Sequence, residues 1–255
     1  MINRLGRLRW LPVIARSSSF ALGSEEIDPR TASIALGARY IVEGTVKTAP
    51  QGFVLSISLT DGDSGQSLWT DNIALDEIED PLAIETALTG IAAALDHRID
   101  QSEQMRALAG ESTNAGLRQL IWKARWHLAQ LSSQDLAEAA ALLDRAARLS
   151  PASPEVLIEK AWLTVRQLWL NRGTDSDIRG LRKAAQRAIL ADPDDARGHM
   201  IAGIAEFWLH QPSRAEGLLR RAVALNPSLV MAHAQLGSAL HHSGLADEAI
   251  VCLET

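Results

Sequence analysis

Cysteine is almost missing from this 255-residue chain: Cys252 stands alone, so no internal disulfide holds the fold and no oxidising compartment is required. Long apolar runs are missing as well. Trp10–Ala15 follows a basic start but is closed by Arg16, too short for the core of a secretory signal, and no other segment approaches a membrane span. Lysine and arginine are absent from Thr48 to His97, where Asp61, Asp63, Asp71, Asp76, Glu77, Glu79, Asp80, Glu85 and Asp96 accumulate. Such a stretch reads as a solvated acidic face, or as a docking surface for a basic partner or a cation. The formal charge of −6 and pI near 5.7 argue against a nucleic-acid surface, which needs clustered cations to displace phosphate counterions.

What is present is the balance of a folded protein, 47% apolar and 22% charged, with room for one large or two modest domains. Two regions differ in hydrophobic period. Before about Glu79, strands and short helices are predicted. WLPVIAR (Trp10–Arg16) reads as an edge strand or the start of one, given Pro12. Asp28 and Pro29 open a brief helix that Gly37 closes. ARYIVEGTV is rich in β-formers, and FVLSISLT alternates Phe53, Leu55, Ile57 and Leu59 on one face, with SLWTDNIAL as its partner. Beyond Pro81, Ile84, Leu88, Ile91, Leu95 and Ile99 mark an amphipathic helix able to cover a sheet.

The stretch DGDSGQ (Asp61–Gln66) resembles the opening of a calcium loop, but the pattern fails. Gly65 stands where an oxygen ligand is needed, Gln66 where the turn glycine belongs, and Asn72 where a bidentate acid should be. A hairpin turn with Gly65 at positive φ is the expectation.

GESTN (Gly110–Asn114) marks a linker, and everything after it reads as helix, punctuated by RAARLSP, RAILADP and RAVALNP. Pro193 and Pro227 lie 34 residues apart, the period of a tetratricopeptide (TPR) helix pair. Pro151 and Pro193 lie 42 apart, with the eight extra residues assigned to a longer turn at NRGTDSDI (Asn171–Ile178). VMAHAQLGSALHHSGLADEAI (Val230–Ile250) resembles the TPR consensus through Leu236, Gly237, Gly244 and Ala249. Gly203 and Gly237, with Ala215, Ala222 and Ala249, are the small residues that let paired helices approach.

RLRWLPVIARSSSF and LGARYIVEGTVKTAPQGFVLSISLTDGDSGQSLWTDN resemble the TolB-like (FlgO-related) domain that precedes such repeats in bacterial CadC-type transcriptional regulators and in adenylate or guanylate cyclases. The resemblance implies an α+β N-terminal domain over 1–109, a mixed sheet with covering helices. A linker over 110–116 and an all-α TPR solenoid of about four helix pairs over 117–255 would follow. Family members carry a further strand before RLRW, and the last repeat here stops within its second helix, so a fragment of a longer protein is expected. Self-association through that unfinished repeat, with its apolar Ile250 and Leu253, is expected too. The expected compartment is the cytoplasm, or the periplasm if a parent protein is membrane-anchored.

Catalytic patterns are lacking: no G-x-x-x-x-G-K, G-x-G-x-x-G, H-E-x-x-H or G-x-S-x-G occurs. Arg4, Arg7, Arg9 and Arg16 read as a solvated helix end rather than a phosphate contact, and Ser17–Ser19 as turn residues. His199 and His233 occupy equivalent repeat positions, and a metal site would need them to converge. No cofactor, metal or catalytic residue is therefore expected. By analogy with TPR proteins, the first helices would line a groove for a protein or peptide partner through Ile158, Trp162, Arg166, Met200, Ile204, Trp208, Met231, Ser238 and His241. This mostly apolar set predicts a hydrophobic or helical partner, with Trp162 and Trp208 alternatively filling cores between repeats. The overall expectation is a regulatory interaction module, or alternatively the sensory part of a nucleotide cyclase.

Overall fold

Local chemistry sets the N-terminal elements. The computed structural model describes residues 1–22, 27–50, 52–75, 81–110, 116–171 and 174–254. The chain divides into two compact units, Met1–Ser102 and Glu103–Thr255. In the first, short helices α1 (Ile2–Leu5) and α2 (Arg16–Phe20) precede α3 (Pro29–Leu36). The Asp28 carboxylate accepts from the Arg30 and Thr31 amides, and Gly37 takes the left-handed conformation at φ 61°, so α3 begins and ends where its capping residues predict.

Strands β1 (Tyr40–Thr48), β2 (Phe53–Asp61) and β3 (Gln66–Leu75) form an antiparallel meander. Their register pairs Tyr40 with Asp61 and Phe53 with Leu75, and an irregularity falls between Leu59 and Thr60. Ile57 and Leu59 are buried on the face that meets α4 (Pro81–Ala109) through Ile91, Leu95 and Ile99, with Leu5 and Leu8 closing the same core. The period-two and period-3.6 patterns thus meet in one hydrophobic layer.

Two expectations are corrected in this unit. WLPVIAR forms no strand: Pro12 lacks an amide donor, and none of the strands among the described residues pairs with the segment. The described sheet is also antiparallel throughout rather than mixed, because hairpins alone connect its three strands. The linker expected at 110–116 lies mainly outside the described residues.

The second unit is a series of helix pairs: α5 (Leu117–Gln130) with α6 (Ser133–Leu149), α7 (Pro154–Asn171) with α8 (Asp175–Ala191), α9 (Ala196–Trp208) with α10 (Pro212–Leu225), and α11 (Val230–His242) with α12 (Ala246–Glu254). First helices touch in sequence along the unit, and each second helix contacts the first helix of the next pair, consistent with a TPR solenoid. Successive pairs are joined at Ser150, Asp192 and Asn226, whose φ/ψ values are −148°/84°, −146°/97° and −136°/93°. Each precedes a proline, which bars its neighbour from the helical region, so one steric rule repeats the same exit three times.

The eight additional residues of the second pair do not lengthen its turn. Helix α7 has 18 residues against 13 in α9, and α8 has 17 against 14 in α10. The polar segment assigned to a loop instead starts α8. Thr174 and Asp177 form a reciprocal capping box, and acids in a first turn suit the positive end of the helix dipole. Residues 172 and 173 of that segment lie outside the described residues.

Paired helices meet at a column of small residues. Ala124 and Ala161 are fully buried, and a Cβ added at Gly203 would sit 2.6 Å from Leu219 Cγ, while one at Gly237 would sit 2.8 Å from Leu253 Cγ. Gly217, on the exposed side of α10, would meet nothing within 4 Å. Gly203→Ala is therefore expected to destabilise the repeat unit by about 1–3 kcal/mol through overpacking. Gly217→Ala should stabilise it by about 0.5–1 kcal/mol through helix propensity. Urea denaturation of the two variants beside the parent checks both signs.

Candidate functional site

Helix α7 carries Trp162, Arg166 and Trp169 at i, i+4 and i+7, a spacing that puts all three on one stripe of the helix. Trp208, the last residue of α9, comes from the next pair. Ring centroids lie 5.6 Å apart for Trp162 and Trp169 and 6.4 Å apart for Trp169 and Trp208, both edge-to-face. The Arg166 guanidinium carbon lies 5.0 Å from the Trp162 ring centre and 5.1 Å from that of Trp169. Trp169 is 39% exposed, while Trp162, Arg166 and Trp208 are partly buried. Burial pushes the Arg166 guanidinium below its ordinary pKa.

The other residues predicted to line a groove separate into two groups. Ile158, Met200 and Ile204 are at most 4% exposed and belong to the core between repeats, so their apolar side chains face neighbouring helices rather than a partner. Met231 and Ser238 are partly exposed and His241 is exposed, further along on α11. The accessible set is consequently aromatic and cationic rather than generally apolar. Trp169 is missing from the predicted set because it lies beside the polar stretch read as a loop. Its spacing from Trp162 and Arg166 is the signal that could have found it.

A buried ion network crosses the same first helices and has no local signature. Arg125 of α5 donates through Nε to Glu159 of α7 at 2.7 Å, and Arg197 of α9 donates to the same carboxylate at 3.2 Å. Arg197 also grips Asp195, its Nη2 at 2.8 Å from the carboxylate, while Asp195 caps α9 through the Arg197 amide. Glu159 and Asp195 are each 4% exposed. Glu159 is separated from its two arginines by 34 and 38 residues in sequence, so only the stacking of pairs brings them together.

The histidines have a structural task. His199 Nε2 lies 2.9 Å from the Pro193 carbonyl and His233 Nε2 2.9 Å from that of Pro227, tying successive connectors to the helices that follow. A carbonyl only accepts, so Nε2 carries the proton in both. No group of three or more His, Cys, Asp or Glu side chains arranged to hold a metal occurs among the described residues.

DGDSGQ is a pinned turn. The Asp61 carboxylate accepts from the Asp63 and Ser64 amides at 2.9 and 3.2 Å, Gly65 adopts φ 70°, and Arg39 pairs with both Asp61 and Asp63. Burial works against the Asp61 charge, but the Arg39 hydrogen bond and the two amides outweigh it and hold its pKa below the ordinary value. With Glu85 paired to Arg4 and Asp96 accepting from the Trp10 indole, much of the predicted acidic face is engaged internally. Asp76–Asp80 lie outside the described residues.

No family model matches the chain. A protein named "Putative adenylate cyclase 3" from Rhizobium meliloti (strain 1021) is 28% identical over 219 residues, covering 85% of this chain. The chain spans 37% of that relative's length. Among solved structures, TTC0263, a thermophilic TPR protein of Thermus thermophilus, is 16% identical and superposes with TM-score 0.49 over 67% of this chain and 82% of its own. MamA is 18% identical, with TM-score 0.40 over 71% of this chain and 93% of its own. Those overlaps are loose, and the reading as helix-pair repeats rests on the connectors, helix lengths and small-residue column. No described helix is long and apolar enough to cross a membrane.

The ion network makes the repeat unit sensitive to acid. Burial alone would raise the Asp195 pKa, yet Arg197 overrides it and holds the value below the ordinary 3.8. The stabilisation is fully present above 3.8 and is lost as pH falls through the lowered folded-state value. Thermal unfolding followed from pH 6 downward should show the melting temperature falling in that acid range, and Asp195→Asn should reduce the slope there.

Proposed function

We propose that this chain is a non-catalytic regulatory module whose second unit binds a segment of a partner protein on the surface built by Trp162, Trp169 and Trp208. The observation carrying this reading is three indoles from adjacent pairs meeting at a partly exposed surface, since tryptophan concentrates binding energy where it is only partly buried before association. Met231, Ser238 and His241 extend the surface onto α11. The first unit, with its residue-level resemblance to TolB-like domains, would transmit occupancy to an attached effector if bound and free states differ in affinity for it. A bacterial signalling or transcriptional regulator is the setting that resemblance supports.

A second reading draws on the similarity to the Rhizobium meliloti protein: the chain would be the sensory portion of a nucleotide cyclase, whose catalytic aspartates would lie in another domain. An in-frame cyclase domain in the parent gene would favour it. An in-frame winged helix would favour the regulator. Both readings use the same binding surface.

Selection of a displayed peptide library against the immobilised chain tests the surface. Enriched peptides should bind Trp208→Ala and Trp169→Ala at least about tenfold more weakly, a loss of about 1.4 kcal/mol, with helical circular dichroism unchanged. Equal binding by folded variants would place the site elsewhere. The partner set also includes a second copy of this chain, because α12 exposes Ile250, Val251 and Leu253. Sedimentation equilibrium should then reveal concentration-dependent dimers that Val251→Glu abolishes, and a monomer at every concentration would remove that mode.

A further inference from the structure

Within the repeat unit, the partly buried arginines of the first helices are matched to acids with one exception. Arg125 and Arg197 converge on Glu159, and Arg197 holds Asp195 as well. Arg166 makes no hydrogen bond or ion pair among the described residues, and its Nε is buried without an acceptor. Two tryptophan rings lie within about 5 Å of the guanidinium carbon. Aromatic faces attract the charge, but they leave the buried Nε–H donor unsatisfied, and an unmet buried donor carries a desolvation cost. The site is therefore electrostatically incomplete in the isolated chain.

An anion of matching charge is the complement that such a donor calls for. A single guanidinium among indoles suits one negative charge, whereas a dianionic phosphate would bring a second charge into apolar surroundings with no cation to meet it. Apolar groups are needed on both sides of that anion, because Trp162 lies one turn before Arg166 on α7, while Trp169 lies one turn after it and touches Trp208. An acidic side chain inside an apolar segment satisfies both conditions; a chain terminus supplies an apolar flank on one side only. We propose that Arg166, framed by Trp162, Trp169 and Trp208, is the receptor for a partner's Glu or Asp side chain flanked on both sides by apolar residues. This rests on the reading of the tryptophan surface as the binding face and assigns the chemistry of what it binds.

The test uses blocked tripeptides on the full chain. Acetyl-Leu-Glu-Leu-amide and its glutamine counterpart differ only in the charged group. The Arg166 Nε–H nuclear resonance, assigned by its loss in Arg166→Gln, reports contact directly. The glutamate peptide should shift that resonance and bind about fivefold or more tightly than the glutamine peptide, with the preference gone in Arg166→Gln. Equal binding of the two peptides to the unaltered chain overturns the proposal without requiring any variant to fold. It is equally overturned if inorganic phosphate, or acetyl-Leu-Leu with a free terminal carboxylate, shifts the resonance more strongly. Library peptides that depend on Trp208 but are indifferent to replacement of their acid would leave the tryptophan surface standing and remove the carboxylate receptor alone.

Discussion

Close approach of paired helices at Ala124, Ala161, Gly203 and Gly237 is the constraint on which the second unit rests. A side chain larger than these would separate the helices of a pair, and each pair's surface is the template for the next. Leu219 and Leu253 occupy the space that a Cβ at Gly203 or Gly237 would need, so the absence of a side chain there admits Leu219 to the interior and lets the largely exposed Leu253 lean on its partner helix. Repetition then follows at low cost. The same pre-proline exit at Ser150, Asp192 and Asn226 delivers each new first helix into the same relation with its predecessor.

Stacking of this kind creates sites that no single pair contains. Glu159 serves arginines from the first helices before and after its own, so a carboxylate among the most buried of the described residues also fastens three pairs together. The tryptophan surface arises likewise: α7 contributes two indoles and an arginine, and α9 adds the third indole. Lengthening α7 is what carries Trp169 beyond the usual helix end to meet Trp208. An insertion that looks like a loop in sequence thus becomes part of a recognition surface. Placing charge in both settings gives opposite results, since Arg197 is surrounded by acids that raise its pKa while Arg166 has only burial, which lowers it.

The first unit follows a different economy, with one helix laid on a small sheet. Leu59 and Leu95, both fully buried, mark the centre of that layer. Its most chemically suggestive stretch, Asp61–Gln66, is consumed by its own turn: two carboxylates are held by Arg39, and one also serves two backbone amides. Acids that resemble a metal loop in sequence are therefore already satisfied in the fold.

Much of the architecture was legible in the residues themselves. Asp28, Pro29 and Gly37 bounded α3, alternation identified β2, and the proline-marked phrases located the repeats, because capping, pleat and pre-proline sterics act within a few residues. WLPVIAR and the polar stretch after Asn171 were misread for the converse reason: a strand needs a partner edge, and a polar run beside an acidic capping box is as compatible with a helix start as with a loop. Site residues were legible only by type. Ile158, Met200 and Ile204 are apolar on the same helices as Trp162 and Trp208, and nothing local distinguishes a residue facing the next pair from one facing solvent. Sequence alone determined the elements and their repetition, through interactions a few residues long. The tertiary structure alone decided which side chains are reachable and which charge lacks a partner among the described residues, because those depend on neighbours far away along the chain.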